Sequence, residues 1–111
     1  MRSDCERLLD IQEAIENIDR YANRGKDEFE NDELIQNWIV RHLQIIGEAS
    51  SRLSDDFRDK HPQIPWHKII GMRNILVHDY FGIDKAIVWA AVEHELPPLK
   101  AHIEKIIDKN P

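Results

Sequence analysis

Apolar residues recur along this chain at steps of three and four, the period of an amphipathic helix, and polar or proline-bearing runs break that recurrence into segments. The first segment carries Leu8, Ile11, Ile15, Ile18 and Ala22, with Asp10, Glu13, Glu16, Asp19 and Arg20 on its polar side. Ser3 followed by Glu6 has the form of a capping box, so a first helix of about five turns is expected, with Gly25 as its stop. Lys26–Asn31 is short and polar and reads as a connection. Asn31 or Asp32 can cap a second helix in which Ile35, Ile39, His42, Ile46, Ala49 and Leu53 keep the rhythm, while Trp38 and Leu43 widen its apolar face. His42 interrupts that stripe and reads as a hydrogen-bonded core or interface residue.

Residues 54–65 are charged and broken by Pro62 and Pro65, with Phe57 as the large apolar anchor, so at most a short helical turn fits. Pro65 suits the first turn of a third long helix, Trp66 to about His78, because its missing N–H would be an orphan donor there anyway. Ile69, Met72 and Leu76 share one side of that helix. Gly82 then supplies a turn and Asp84 the next N-cap. Val88, Val92, Leu96, Leu99, Ile103 and Ile106 form a last stripe that runs through Pro97-Pro98, predicting a kinked helix or two short helices in line. No segment alternates with period two, and no repeat is present. The pattern predicts one all-α domain over residues 1–111, an up-and-down bundle of four main helices with a kinked C-terminal helix.

Composition narrows the function classes. At 111 residues the chain holds one core and no separate substrate domain. Its longest apolar runs fall well short of the roughly 20 residues that span a bilayer, and the N-terminus lacks the apolar centre of a signal peptide, so a cytoplasmic protein is expected. Cys5 has no second thiol to pair with and reads as an ordinary, partly buried thiol. A net charge of −6 argues against a general nucleic-acid coat, DNA included, so any RNA or nucleotide contact must be local.

The chemistry concentrates in Arg73-Asn74-Ile75-Leu76-Val77-His78-Asp79-Tyr80, which sets a permanent cation, a titratable imidazole and a phenol within one apolar stretch. Arg73 and His78 lie about 140° apart around an ideal helix and do not share a face, whereas Asn74 and His78, four apart, do. A two-fold dimer would duplicate Arg73, Asn74 and His78 around its axis and line one cleft with them. Such a cleft has the parts for metal-free RNA cleavage: a His as base on the ribose 2′-OH, an acid for the leaving 5′-oxygen, and Arg to hold charge on the phosphorane. The alternative from spacing alone is structural, with Arg73 bridging to an acid such as Glu48 and His78 placed favourably at a helix C-terminus. Glu48 itself either orients Arg73 or His78 or is a solvated acid.

The stretch resembles the Arg, four residues, His, any residue, Tyr signature of the HepT-like toxins, within the HEPN superfamily of helical RNases. Arg41 to Ala49, Tyr80 to Ile83, and Val88-Trp89 followed by Leu96-Pro97-Pro98-Leu99 agree with it in order along nearly the whole chain. The resemblance implies a homodimeric helical bundle with a composite RNase site, Arg73 and His78 catalytic, Asn74 at its polar edge, and tRNA or mRNA as substrate. It implies no cofactor of the nuclease's own. It also implies a type VII toxin–antitoxin pairing with an MntA-like minimal nucleotidyltransferase, which transfers AMP from ATP onto Tyr80. AMP there adds negative charge and bulk two residues from His78 and would repel the RNA backbone.

A second reading is a non-catalytic nucleotide-binding or adaptor module that partners a nucleotidyltransferase. A metal enzyme is a weaker one, because His61, His67, His94 and His102 lack His-Glu-x-x-His spacing and read as surface or interface residues.

Overall fold

The computed structural model describes residues 3–77 and 84–109. The protein is all-α. Long helices α1 (Asp4–Ala22), α3 (Glu33–Ser51) and α5 (Trp66–Val77) alternate with short ones, α2 (Lys26–Asn31) and α4 (Asp55–Lys60). The C-terminal segment runs as α6 (Lys85–Ala90), a π-helical turn (Ala91–Glu95) and α7 (Leu96–Lys109).

Helix α1 starts where its capping box predicts: the Ser3 hydroxyl accepts from Glu6 N–H and the Glu6 carboxylate accepts from Ser3 N–H, each at 3.2 Å. Its apolar stripe packs on α3, which runs antiparallel to it. Ser54, just past the end of α3, donates through N and Oγ to the Asp4 carboxylate at the start of α1, at 2.9 and 2.7 Å. Trp38, early in α3, donates from Nε1 to the Asn17 carbonyl near the other end of α1, at 2.7 Å. The next face of α3 takes α5, and α7 returns along α1, where Lys100 meets Asp19 at 3.1 Å. The core is one cluster drawn from every long helix, with Ile11, Ile18, Ile39, Ile46, Ile69 and Ile103 wholly buried.

His42 is a buried member of the α3 stripe; its Nδ1 lies 2.7 Å from the Trp38 carbonyl and its ring stacks on Trp38. The C-terminal stripe from Val88 to Ile106 is buried throughout. Its departure from α-helical bonding has a specific cause: Pro97 and Pro98 have no N–H to return to the carbonyls four residues back. The chain widens by one residue before them, with Leu96 N–H bonding the Ala91 carbonyl.

Three expectations are corrected. Lys26–Asn31 is a helical turn, not a connection, because Phe29 is 0% exposed and stacks 5.1 Å from Trp89. Gly25, at φ 101°, makes the reversal into it, and Gln36 Nε2 caps its far end by donating to the Phe29 and Glu30 carbonyls at 2.9 and 3.2 Å. Residues 54–65 contain the short helix α4, but their buried anchor is Ile64 rather than Phe57, which is half-buried against His61 and Trp66. Cys5 is exposed, since the first turn of α1 extends past the core, which begins at Leu8. Among the described residues no helix is long and apolar enough to cross a membrane.

Phe29→Ala should lower unfolding free energy by about 3–5 kcal/mol, read as a shifted urea midpoint. A loose connection at Lys26–Asn31 would give a loss near about 0.5 kcal/mol, as for a surface change.

Candidate functional site

Helices α3 and α5 approach each other closely at Gly47. A Cβ placed there would lie 3.0 Å from Arg73 Cβ and 3.1 Å from Arg73 N, so the backbone of α5 sits at this depth because position 47 has no side chain. The contact fixes Arg73 opposite the next turn of α3. Its Nη1 donates to Glu48 Oε2 at 2.7 Å and to Ser51 Oγ at 3.3 Å. Ser51 in turn donates to the Glu48 carbonyl at 2.7 Å, which leaves a lone pair on its oxygen for Arg73.

Glu48 is shared. Its second oxygen, Oε1, accepts from Arg52 Nε at 2.7 Å, so one carboxylate is clamped between two guanidiniums. The hydrogen bond from Arg73, then that from Arg52, holds its carboxyl below the ordinary carboxylate range. The Glu48 and Arg73 side chains are 41% and 36% exposed, so solvent screens the pair and it contributes little to stability. Its structural effect is to fix where the guanidinium points. Among the described residues Nε and Nη2 of Arg73 make no hydrogen bond, which leaves donors for a further anion.

Of the residues singled out in the sequence, Arg73 and Glu48 are thus brought together across 25 positions of chain. Asn74 lies on the α5 backbone one residue after Arg73, with its side chain outside the described residues. His78 and Tyr80 lie outside the described residues, as does Gly82. Asp84 caps α6 by accepting from Ile87 N–H at 3.2 Å. His67 and His94 are exposed, and His61 and His102 half-buried; among the described residues no group of His, Cys, Asp and Glu is placed to hold a metal.

Ser51, Arg52 and Gly47 were missed by sequence reasoning. Gly47 carried a signal, since a glycine in the interior of a helix costs roughly 1 kcal/mol against Ala and is kept where another backbone approaches closely. A different groove, about 310 Å³, lies between Leu43, Met72, Val88 and Ala91. Its lining is chiefly apolar, with His94 and the Lys68–Glu95 ion pair, at 2.9 Å, as its polar members.

Because Glu48's pKa is depressed in the folded chain, its contribution is fully present above the unfolded carboxylate value of roughly 4.3 and is lost as pH falls through the lower folded value. Glu48→Gln should remove that acid-side slope from urea-unfolding stability, by no more than about 1 kcal/mol given the exposure of the pair. An unchanged slope in the variant would refute the clamp.

The sequence places this geometry among known proteins. The family described as ribonuclease HepT-like matches residues 11–106. A protein of Thermococcus cleftensis named as a probable ribonuclease HepT is 41% identical over 106 residues, 95% of this chain and 96% of that one. A Methanocaldococcus jannaschii protein provisionally named an RNase is 40% identical over 98 residues, 87% of this chain and 90% of that one. Another, from Caldanaerobacter subterraneus, also provisionally named an RNase, is 37% identical over 99 residues, 89% and 88% of the two chains. No solved structure matches. With the family match spanning most of the chain and these relatives aligned almost end to end, this protein belongs to the HepT-like ribonuclease family.

Proposed function

We propose that this chain is a metal-independent endoribonuclease, the toxin of a toxin–antitoxin pair, acting on RNA in the cytoplasm as a homodimer. The observation that carries this reading is the oriented Arg73: a guanidinium held by Glu48 at 2.7 Å, with further donors unspent, at the head of the Arg, four residues, His motif of an RNase family. Glu48 and Ser51 are the positioning residues and Arg73 and His78 the catalytic ones, with Asn74 beside His78 on the polar edge.

In the proposed cleft the two copies of His78 divide the proton work. One imidazole takes the proton of the ribose 2′-OH, the 2′-oxygen bonds to phosphorus, and the bond to the 5′-oxygen breaks as the other, protonated imidazole gives that oxygen its proton. Arg73 holds the charge that builds on the phosphorane oxygens, an electrostatic role that is strongest when the donor is already in place. The products are a 2′,3′-cyclic phosphate and a 5′-hydroxyl. The arrangement calls for duplication by a two-fold axis, because one ideal helix directs positions 73 and 78 about 140° apart.

Neutralisation acts on Tyr80. Its phenolic oxygen attacks the α-phosphorus of ATP held by an MntA-like nucleotidyltransferase, a Tyr–O–P bond forms, and pyrophosphate leaves as the phenol proton passes to a base. The added phosphate repels the RNA backbone beside His78.

Purified, unmodified chain should cleave tRNA or mRNA in EDTA, and the 3′ fragments should carry a 5′-hydroxyl. His78→Ala should cut the rate by about 100- to 10,000-fold and Arg73→Ala by about 100- to 1,000-fold, each with the helical circular dichroism intact. Intact RNA throughout, together with tight nucleotide binding, would replace the nuclease with the adaptor reading. Co-expression with a nucleotidyltransferase partner should add one or more AMP masses, lost in Tyr80→Phe; an adduct that survives Tyr80→Phe would move the modification elsewhere.

A further inference from the structure

Arg7 of α1 and Arg41 of α3 both line a groove of about 280 Å³, together with Gln44, Ile45 and Ala49. Glu48 also lines this groove, and it is the same carboxylate that holds Arg73. Arg41 and Glu48 are seven residues apart on α3, two turns, so they lie on one stripe about 10 Å from each other along the helix.

The two arginines differ from the others in the described residues. Arg52, Arg58 and Arg73 pair with carboxylates, Arg20 donates to Asn17, and Arg24 lies over the Tyr21 ring. Among the described residues Arg7 and Arg41 have no carboxylate within ion-pair distance. Arg7 Nε is moreover buried without an acceptor, an uncommon state for a charged donor. Asp10 also lines the groove and is itself partnered. Two guanidiniums and two carboxylates line the groove, and the charge of one of these carboxylates, Glu48, is already compensated from outside it by Arg52 and Arg73.

We propose that this groove is a phosphate subsite for the RNA backbone, in which Arg7 and Arg41 hold the strand one or more nucleotides away from the bond that Arg73 attends. The inference rests on the ribonuclease reading and adds to it where the strand runs: along α3, from the Glu48–Arg73 clamp towards Arg41. Among the described residues the groove's polar lining is arginine, carboxylate and amide, so what it offers the strand is contact to phosphate and sugar. The subsite therefore contributes affinity and register without reading sequence.

The test measures binding of a fluorescent single-stranded RNA by anisotropy across a salt series, in a His78→Ala background that stops turnover, and cleavage kinetics in the active chain. For Arg7→Gln with Arg41→Gln, the slope of log affinity against log salt should shrink by about 1.4, about 0.7 for each phosphate that is no longer neutralised. KM should rise at least about tenfold with kcat held within about threefold. Arg41→Lys should restore most of its share of the slope, and Arg20→Gln, on an exposed face elsewhere, should leave the slope unchanged. A double variant with the parental slope and KM would overturn the subsite while leaving the nuclease standing, and so would an equal loss in Arg20→Gln, which would mean diffuse attraction. A parental chain that neither binds nor cuts RNA would instead overturn the ribonuclease reading, and the subsite with it.

Discussion

The absence of a side chain at position 47 is the constraint on which the candidate site depends. Helix α3 is the hub of the bundle, with α1 on one face and α5 on the next, and the depth at which α5 beds against it is set by the smallest residue at their crossing. Any Cβ there would stand 3.0 Å from the Cβ of Arg73, tighter than packed atoms tolerate without movement. A shift of a few tenths of an ångström is small for a helix pair but large for a hydrogen bond of 2.7 Å between Arg73 and Glu48. Backbone approach, side-chain clamp and the aim of the guanidinium are thus one geometric fact expressed at three levels.

The clamp is better understood as orientation than as stabilisation. Both partners are more than a third exposed, and an exposed ion pair recovers little free energy once side-chain entropy and solvent screening are counted. A free arginine explores many rotamers, and holding it through Nη1 leaves the rest of its fork directed outward at a lower entropic cost to whatever binds next. Ser51 adds to this by accepting from the same nitrogen while its own proton is engaged by the helix carbonyl behind it.

The long elements were legible in the sequence because their causes are local. The Ser3–Glu6 box, the Asp32 and Asp84 caps and the three-and-four stripes each lie within a few residues of what they determine. Lys26–Asn31 was not, because its causes are distant: Phe29 is buried against Trp89, Gln36 caps its end, and Lys85, 55 residues on, donates to the Glu30 carbonyl. The site divides in the same way. Arg73 could be picked out by residue type and motif, but its pairing with Glu48 is a property of the α3–α5 crossing, which periodicity does not encode. Arg7 and Arg41 were invisible as a pair for the same reason, lying on separate helices with ordinary charged-residue spacing.

Net charge gives these local arrangements their weight. A chain at −6 repels a polyanion at long range, but salt limits that repulsion to about 8–10 Å. Inside that distance the outcome is decided by the charges actually present, and around Glu48 these are chiefly guanidiniums. On the proposed reading, an acidic exterior discourages RNA from settling on faces that lead nowhere, and the Arg-lined groove makes the productive register the favourable one. On the same reading, AMP at Tyr80, two residues from His78 in the motif, adds negative charge to a chain already at −6, so the strand meets more repulsion with the same few cations to offset it.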